Sequence, residues 1–291
     1  MTHPYKTREG GATVTIFVPY DCGNNCPFCI NKKEYEDTSR FSLEKICDSI
    51  RTLDAITPQC DFVFTGGEPM ADLDALQIML DCIPTTHKIY INTTLPVMKK
   101  YSEDEIVAFL NRNRGKLTCV NVSRHLFSYV EEGNDAIFSR IEVPCRVNCV
   151  LFGDHSPELL LPFVKRFGAY NVPIQFRSDY TKTTPENLYD ESDDTILANL
   201  RSILTPTLLE GCRIRCNYEF LDGEHIISYH KTLPYSTITE DDAKGITYDI
   251  LYDILIKQTG EIHSDWVDNR ALDVEAYRNV VFEPYDLHRI F

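Results

Sequence analysis

The 291-residue chain has no long apolar run, no Gly/Ser linker, no internal repeat and no cluster of basic residues. Each absence excludes something. Nothing approaches the ~18 consecutive apolar residues that a membrane helix needs, so no membrane span is expected. Residues 1–11 are polar and lack the apolar core of a secretory signal, so no signal peptide is expected. Lys and Arg number 29 against 44 Asp and Glu, a net charge of −15. Without a local basic cluster that balance repels polyanions and argues against nucleic acid as a partner. The acidic runs Glu186 to Asp194 and Glu240 to Asp242 read as solvated loops or helix starts.

The eleven cysteines are odd in number and follow no repeating secreted framework, which fits a reducing, cytoplasmic setting. Three of them, Cys22, Cys26 and Cys29, stand at C-x3-C-x2-C just after the apolar run Ala12 to Pro19. Thiolates are soft ligands that favour iron–sulfur clusters, copper or zinc. Three on one tight loop can hold three corners of a four-iron cluster and leave the fourth iron open to chemistry. A closed zinc site wants a fourth Cys or His nearby, and the nearest histidines, His3 and His87, are far off in sequence.

Strand and helix patterns alternate along the first two thirds of the chain. Strands are expected at Thr13 to Pro19, Asp61 to Thr65, Lys88 to Asn92, Leu117 to Ser123, Cys145 to Leu151 and Val172 to Arg177. Helices are expected between them: from Ser42 through Leu53, over Asp72 to Cys82, after the capping box Ser102 to Glu105, and from Ser156-Pro157 to Phe167. A short helix is expected around Asp135 to Ser139, and another over Asp194 to Leu204. Six such units with short loops argue an α/β fold: a partial (β/α)6 TIM-like barrel over residues 1–205. After Pro206 the pattern changes to hairpins, Arg213 to Leu221 with Glu224 to Lys231, then Tyr248 to Lys257 with Glu261 to Asp265. Residues 206–291 are therefore expected to form a small β-rich C-terminal appendage.

Cys22, Cys26 and Cys29, with Phe28 just before the third, resemble the signature of radical S-adenosylmethionine (radical SAM) enzymes. A second motif agrees: Gly66-Gly67-Glu68-Pro69 follows the apolar run Phe62 to Phe64. The stretch Val147 to Val150 resembles the fifth strand of the molybdenum-cofactor-cyclase-like branch. The segment Asp253 to Asp265 is similar to SPASM and twitch appendages, with Ser264 and Asp265 standing where a cluster cysteine is expected. The resemblance implies a single [4Fe-4S] cluster on the three cysteines and S-adenosylmethionine chelated at the open iron. It places Gly66 and Gly67 against the methionine ammonium, Glu68 as its counter-charge, Asn92 and Ser123 on the ribose, Arg124 on the carboxylate and Asn148 along the same site. Reduction of the cluster would release a 5′-deoxyadenosyl radical that takes hydrogen from a small metabolite or peptide. A flavodoxin or ferredoxin would be the electron donor.

Cys47, Cys60, Cys82, Cys119, Cys145 and Cys149 read as small core hydrophobes. Cys212 and Cys216 are candidates for a hydrogen-atom donor at the barrel mouth. The acidic surface suits a basic or amine-bearing substrate. Two other readings stay open: an activase that installs a glycyl radical on a large enzyme, and a non-enzymatic metal-binding module.

Overall fold

The computed structural model describes residues 3–18, 22–30, 40–84, 86–95, 100–182, 184, 190–212, 215–231, 236–266 and 270–284, the side chains of 181 and 208–217 excepted. The first strand, β1 (Tyr5–Glu9), lies in the polar stretch where the sequence suggests none. It alternates buried Tyr5, Thr7 and Glu9 with half-buried Lys6 and Arg8, and its alignment comes from partners far along the chain.

The expected alternation then follows: β2 (Ala12–Val18), α1 (Leu43–Ile56), β3 (Cys60–Gly66), α2 (Leu73–Asp81), β4 (Lys88–Thr93), α3 (Glu103–Arg112), β5 (Cys119–Ser123), β6 (Cys145–Leu151), α4 (Pro157–Gly168), β7 (Ile174–Ser178) and α5 (Thr195–Ile203). Local chemistry sets these boundaries. Ser42, Asp72, Ser102 and Asp194 cap their helices through side-chain oxygens, and Ser102 with Glu105 closes the expected capping box. The turn over Asp135–Ser139 is a 3-10 helix capped by Asn134.

The remaining strands are β8 (Thr205–Cys212), β9 (Arg215–Asp222), β10 (His225–His230), β11 (Thr237–Asp241), β12 (Thr247–Leu251), β13 (Asp253–Ile256), β14 (Ile262–His263) and β15 (Val281–Glu283), with a short α6 (Val274–Tyr277). Both expected hairpin contacts exist, β9 with β10 and β13 with β14. Residues 213 and 214 of the first lie outside the described residues. The strand expected over Tyr248 to Lys257 is broken at Tyr252, whose N–H donates to the Ser236 carbonyl and whose carbonyl accepts from Thr13, both at 2.8 Å. Its two halves enter different sheets. That is why Ile250, Leu251, Ile254, Leu255 and Ile256 are all buried.

The larger sheet has the order β14-β13-β2-β3-β4-β5-β6-β7-β10-β9-β8. It is parallel from β13 through β10 and antiparallel at each end. Strands from beyond residue 206 therefore flank the six expected ones on both sides: β13 pairs with β2, and β10 with β7. The sheet stays open, with β14 and β8 as its edges among the described residues. The smaller sheet, β11-β12-β1-β15, brings both ends of the described chain together.

Period-two alternation divides each central strand between two environments. Phe62 and Phe64, Ile89 and Ile91, Val120 and Val122, and Ile174 and Phe176 are fully buried beneath the helices. Ile46, Ile50 and Leu53 of α1 and Leu76, Met79 and Leu80 of α2 pack into the same core. The intervening residues of each strand turn to the other side, into a cleft of about 470 Å3.

Candidate functional site

Parallel α/β sheets place ligands at the C-terminal ends of their strands. The loop after β2 carries Cys22, Cys26 and Cys29, all half-buried and all lining the cleft. The amide of Asn24 donates to Cys22 Sγ at 3.4 Å, and the Cys26 thiol donates to the Tyr129 carbonyl at 3.6 Å. Phe28 anchors the loop. Its ring meets His125 edge-on at 4.8 Å and Tyr129 at 5.6 Å, and tilts against Phe152 at 5.9 Å. Burial pushes the Cys22 thiol up, opposed by the bonds from Asn24, while Glu68 and Cys29 add to the rise. Coordination to a cation reverses that shift, because a metal deprotonates a thiol outright.

Among the described residues no three His, Cys, Asp or Glu side chains are grouped as ligands for one metal ion. The three cysteines are therefore not arranged as a single-ion site. A cluster has no such requirement, since each thiolate takes its own iron.

Gly66 ends β3, Gly67 follows it, and both line the cleft. Gly66 has φ +109°, and a Cβ there meets the Val18 carbonyl oxygen at 2.5 Å and its nitrogen at 2.7 Å. Glycine is required at 66 by the backbone of β2 beside it, whatever approaches from the cleft. The Gly67 N–H then donates to the Val18 carbonyl at 2.9 Å.

Glu68 is 3% exposed and lines the same cavity. Its carboxylate accepts from Met70 N at 3.0 Å, Thr93 Oγ1 at 2.5 Å, and Thr94 N and Oγ1, each at 2.8 Å. Burial pushes its pKa up and these four donors oppose the rise. The carboxylate thus ties the ends of β3 and β4 together.

Asn92, Ser123 and Asn148 all line the cleft. Asn92 Oδ1 accepts from the Asn121 amide at 2.8 Å. Ser123 and Asn148 stand opposite each other in the β5–β6 register. Asn148 Oδ1 is buried without a hydrogen-bond partner, an acceptor that calls for a donor from a ligand.

Arg124 corrects an expectation. It is fully buried and absent from the cleft wall. One neighbour along β5 has opposite parity, so Ser123 faces the cleft and Arg124 points away from it. Its Nη1 donates to the carbonyls of Thr94 at 2.7 Å and Ser123 at 2.9 Å, and its Nε lies 3.8 Å from Asp135 and 4.0 Å from Glu132. Desolvation lowers its pKa and the two carboxylates raise it.

Other expectations divide. Cys149 is fully buried on the helix side and Cys47 and Cys60 are buried. Cys119 instead shares the parity of cleft-lining Asn121, to whose Oδ1 its thiol donates at 3.7 Å. Cys212 and Cys216 are in the β8–β9 pair, but their side chains lie outside the described residues, as do residues 186–189 of the acidic run. Ser264 and Asp265 are buried, and the next residue, Trp266, reaches the cleft and meets Phe17 at 5.1 Å.

Sequence reasoning missed Tyr90, Asn121 and Arg146, which line the cleft from β4, β5 and β6. Parity was the available signal: each is two residues from a residue already singled out. His125, two residues beyond Ser123, also lines the cleft but lies past the end of β5, where strand alternation no longer predicts the face. It is buried against Phe28, its Nδ1 accepts from Val150 N at 3.3 Å, and burial lowers its pKa to about 4.

No protein-family model matches the sequence, and no curated protein matches it. Solved structures do. Streptococcus suis SuiB bound to its precursor peptide SuiA aligns over 92% of this chain and 65% of its own, at 13% identity and TM-score 0.55. SuiB without that peptide aligns over 87% and 59%, at 13% identity and TM-score 0.52. SuiB bound to S-adenosylmethionine aligns over 58% and 41%, at 16% identity and TM-score 0.43. In each match the chain spans less than two thirds of the other protein's length. The likeness at TM-scores above 0.5 is one of fold.

Proposed function

We propose that the chain is a radical SAM enzyme that uses a single [4Fe-4S] cluster and S-adenosylmethionine to abstract hydrogen from a small-molecule or peptide substrate. One observation carries the reading. Cys22, Cys26 and Cys29 line the same cavity as Gly66, Gly67 and Glu68, although 36 residues of sequence and a whole helix separate the two motifs.

The donor set fits the groups implied. Three thiols on one loop suit a cluster with an open iron. The orphaned Asn148 Oδ1 suits a ligand hydroxyl or amine. Cys22, Cys26 and Cys29 would hold the cluster; Gly66, Gly67, Asn92, Ser123 and Asn148 would hold S-adenosylmethionine. Bound there, the pair supplies one-electron cleavage of a sulfonium and hydrogen abstraction from a substrate. Phe28 holds the cysteine loop against His125, Tyr129 and Phe152, and Glu68 keeps the Gly66–Gly67 turn rigid. Trp266 and Tyr252, from beyond residue 206, complete the wall and limit water. Residues 1–205 thus carry the cofactor groups, and 206–291 add part of the substrate-facing wall. The fold shared with SuiB, a protein crystallised with a precursor peptide, supports the peptide class of substrate. A flavodoxin or ferredoxin is the proposed electron donor.

The test is anaerobic reconstitution followed by iron and sulfide analysis and assay of 5′-deoxyadenosine under reduction. About four irons and four sulfides per chain are expected, with release of 5′-deoxyadenosine, and C22A, C26A and C29A should each lose both. One zinc per chain without labile sulfide would overturn the proposal.

A further inference from the structure

Two cysteines outside the cleft meet where α1 packs on α2. Cys47 lies in α1 and is 4% exposed; Cys82 is the C-cap residue of α2 and is half-buried. The sequence reads both as small core hydrophobes, yet the Cys82 sulfur has polar partners. Arg51, one turn after Cys47 and on the same face of α1, donates from Nη2 to Cys82 Sγ at 3.4 Å. The Cys82 thiol in turn donates to the Ile78 carbonyl at 3.3 Å. Arg51 Nη1 bonds the exposed carboxylate of Asp48 at 2.9 Å, which steadies the guanidinium from its other side.

Burial pushes the Cys47 thiol up to about 12; its hydrogen bond and charge interaction with Cys82 add to the rise, as Asp48 does, and Arg51 opposes them. Capping the Cys82 sulfur removes both contributions of that thiol and leaves Arg51 acting against burial. Cys47 is therefore hard to ionise while Cys82 is a thiol, and easier once Cys82 is not. Two neighbouring thiols have little distance to cover before an S–S bond of about 2.05 Å forms. Cys82 has room to cover it, because a helix end frays more readily than its interior.

We propose that Cys47 and Cys82 are a redox-active dithiol whose oxidant is a low-molecular-weight disulfide of the glutathione type. The Cys82 thiolate, beside the Arg51 guanidinium, attacks one sulfur of that disulfide. The small molecule's S–S bond breaks, a mixed disulfide forms on Cys82, and the departing thiolate takes the proton that Cys82 gave up. Cys47 then gives up its proton and attacks the Cys82 sulfur, and the second small thiol leaves with that proton. The protein loses two electrons and two protons, and the small disulfide is reduced to two thiols. The new bridge closes the chain over residues 47–82, which contain β3, the Gly66–Glu68 turn and α2. Oxidation thus ties together the two helices that flank that turn and restricts the unfolded chain. The inference does not depend on the radical reading.

The experiment is anaerobic incubation of the reconstituted protein with glutathione disulfide, then an acid quench, alkylation of the remaining thiols and peptide mass spectrometry without reduction. A peptide joining Cys47 to Cys82 is expected, abolished by dithiothreitol, with about two glutathiones released per bridge. C47S should stop at a glutathione adduct on Cys82, and C82S should leave Cys47 unmodified. The bridged protein should unfold at a higher urea concentration than its reduced form, a difference that C47S treated in the same way should lack. No joined peptide from the wild-type protein, an adduct on Cys47 in C82S, or an unmodified Cys82 in C47S would overturn the inference. Each cysteine is mapped in its own peptide, and iron and sulfide are measured on the same samples. A loss of cluster from Cys22, Cys26 and Cys29 is therefore seen separately.

Discussion

Thr94 donates to Glu68 twice, through its backbone N–H and its hydroxyl, each at 2.8 Å. This pair fastens the turn after β3 to the end of β4 and makes Glu68 a structural carboxylate at the edge of the cleft. Removing it strands buried donors on both strands. E68Q keeps the volume but sets an amide NH2 against N–H and O–H groups. A loss of about 1–3 kcal/mol in urea-unfolding stability is expected, together with weaker S-adenosylmethionine binding. Unchanged stability would show that the four donors find other acceptors.

Gly66 and Gly23 should respond oppositely to alanine. G66A forces a Cβ to 2.5 Å from the Val18 carbonyl oxygen at a positive φ, whereas a Cβ at Gly23 meets nothing within 4 Å. G66A should cost more than about 2 kcal/mol, and G23A less than about 0.5 kcal/mol. Denaturant midpoints of the two variants check this.

His125 should make stability depend on pH. Its folded pKa is lowered to about 4 from an ordinary 6.5, so the unfolded state binds the proton more readily between those values. The stability it contributes is present above about pH 6.5 and is lost as pH falls toward 4. The full shift corresponds to about 3 kcal/mol. H125F should flatten that part of the pH–stability curve; an unaltered slope would assign the effect to other groups.

Arg124 should matter for folding and not for the cofactor. R124M leaves Glu132 and Asp135 with Arg166, which bonds them at 2.7 and 2.6 Å. Losing one member of a buried charge group costs about 3–5 kcal/mol. A lowered unfolding midpoint with S-adenosylmethionine affinity within twofold of wild type is the expected result. A selective loss of affinity would return Arg124 to the site.

What the sequence determined by itself was local. Helix starts at Ser42, Asp72, Ser102 and Asp194 depend on a side chain reaching a backbone N–H three residues on. The central strands were visible because a half-buried strand alternates with period two, and the same parity separates Asn148 and Gln175 from Cys149 and Phe176. The cysteine loop and the Gly66–Glu68 turn were legible as motifs for the same reason, being short and contiguous.

Tertiary structure decided which strands became neighbours. The backbone groups along a sheet edge accept any strand, so nothing near β2 or β7 announces that β13 and β10 will lie beside them. That choice breaks the chain at Tyr252, carries Trp266 to the cleft and sets His230 against Gln175. It also explains Gly66, whose lack of a side chain answers to Val18 on the adjacent strand. Arg124 was misplaced because its motif neighbour Ser123 faces the cleft, and one step along a strand reverses the face.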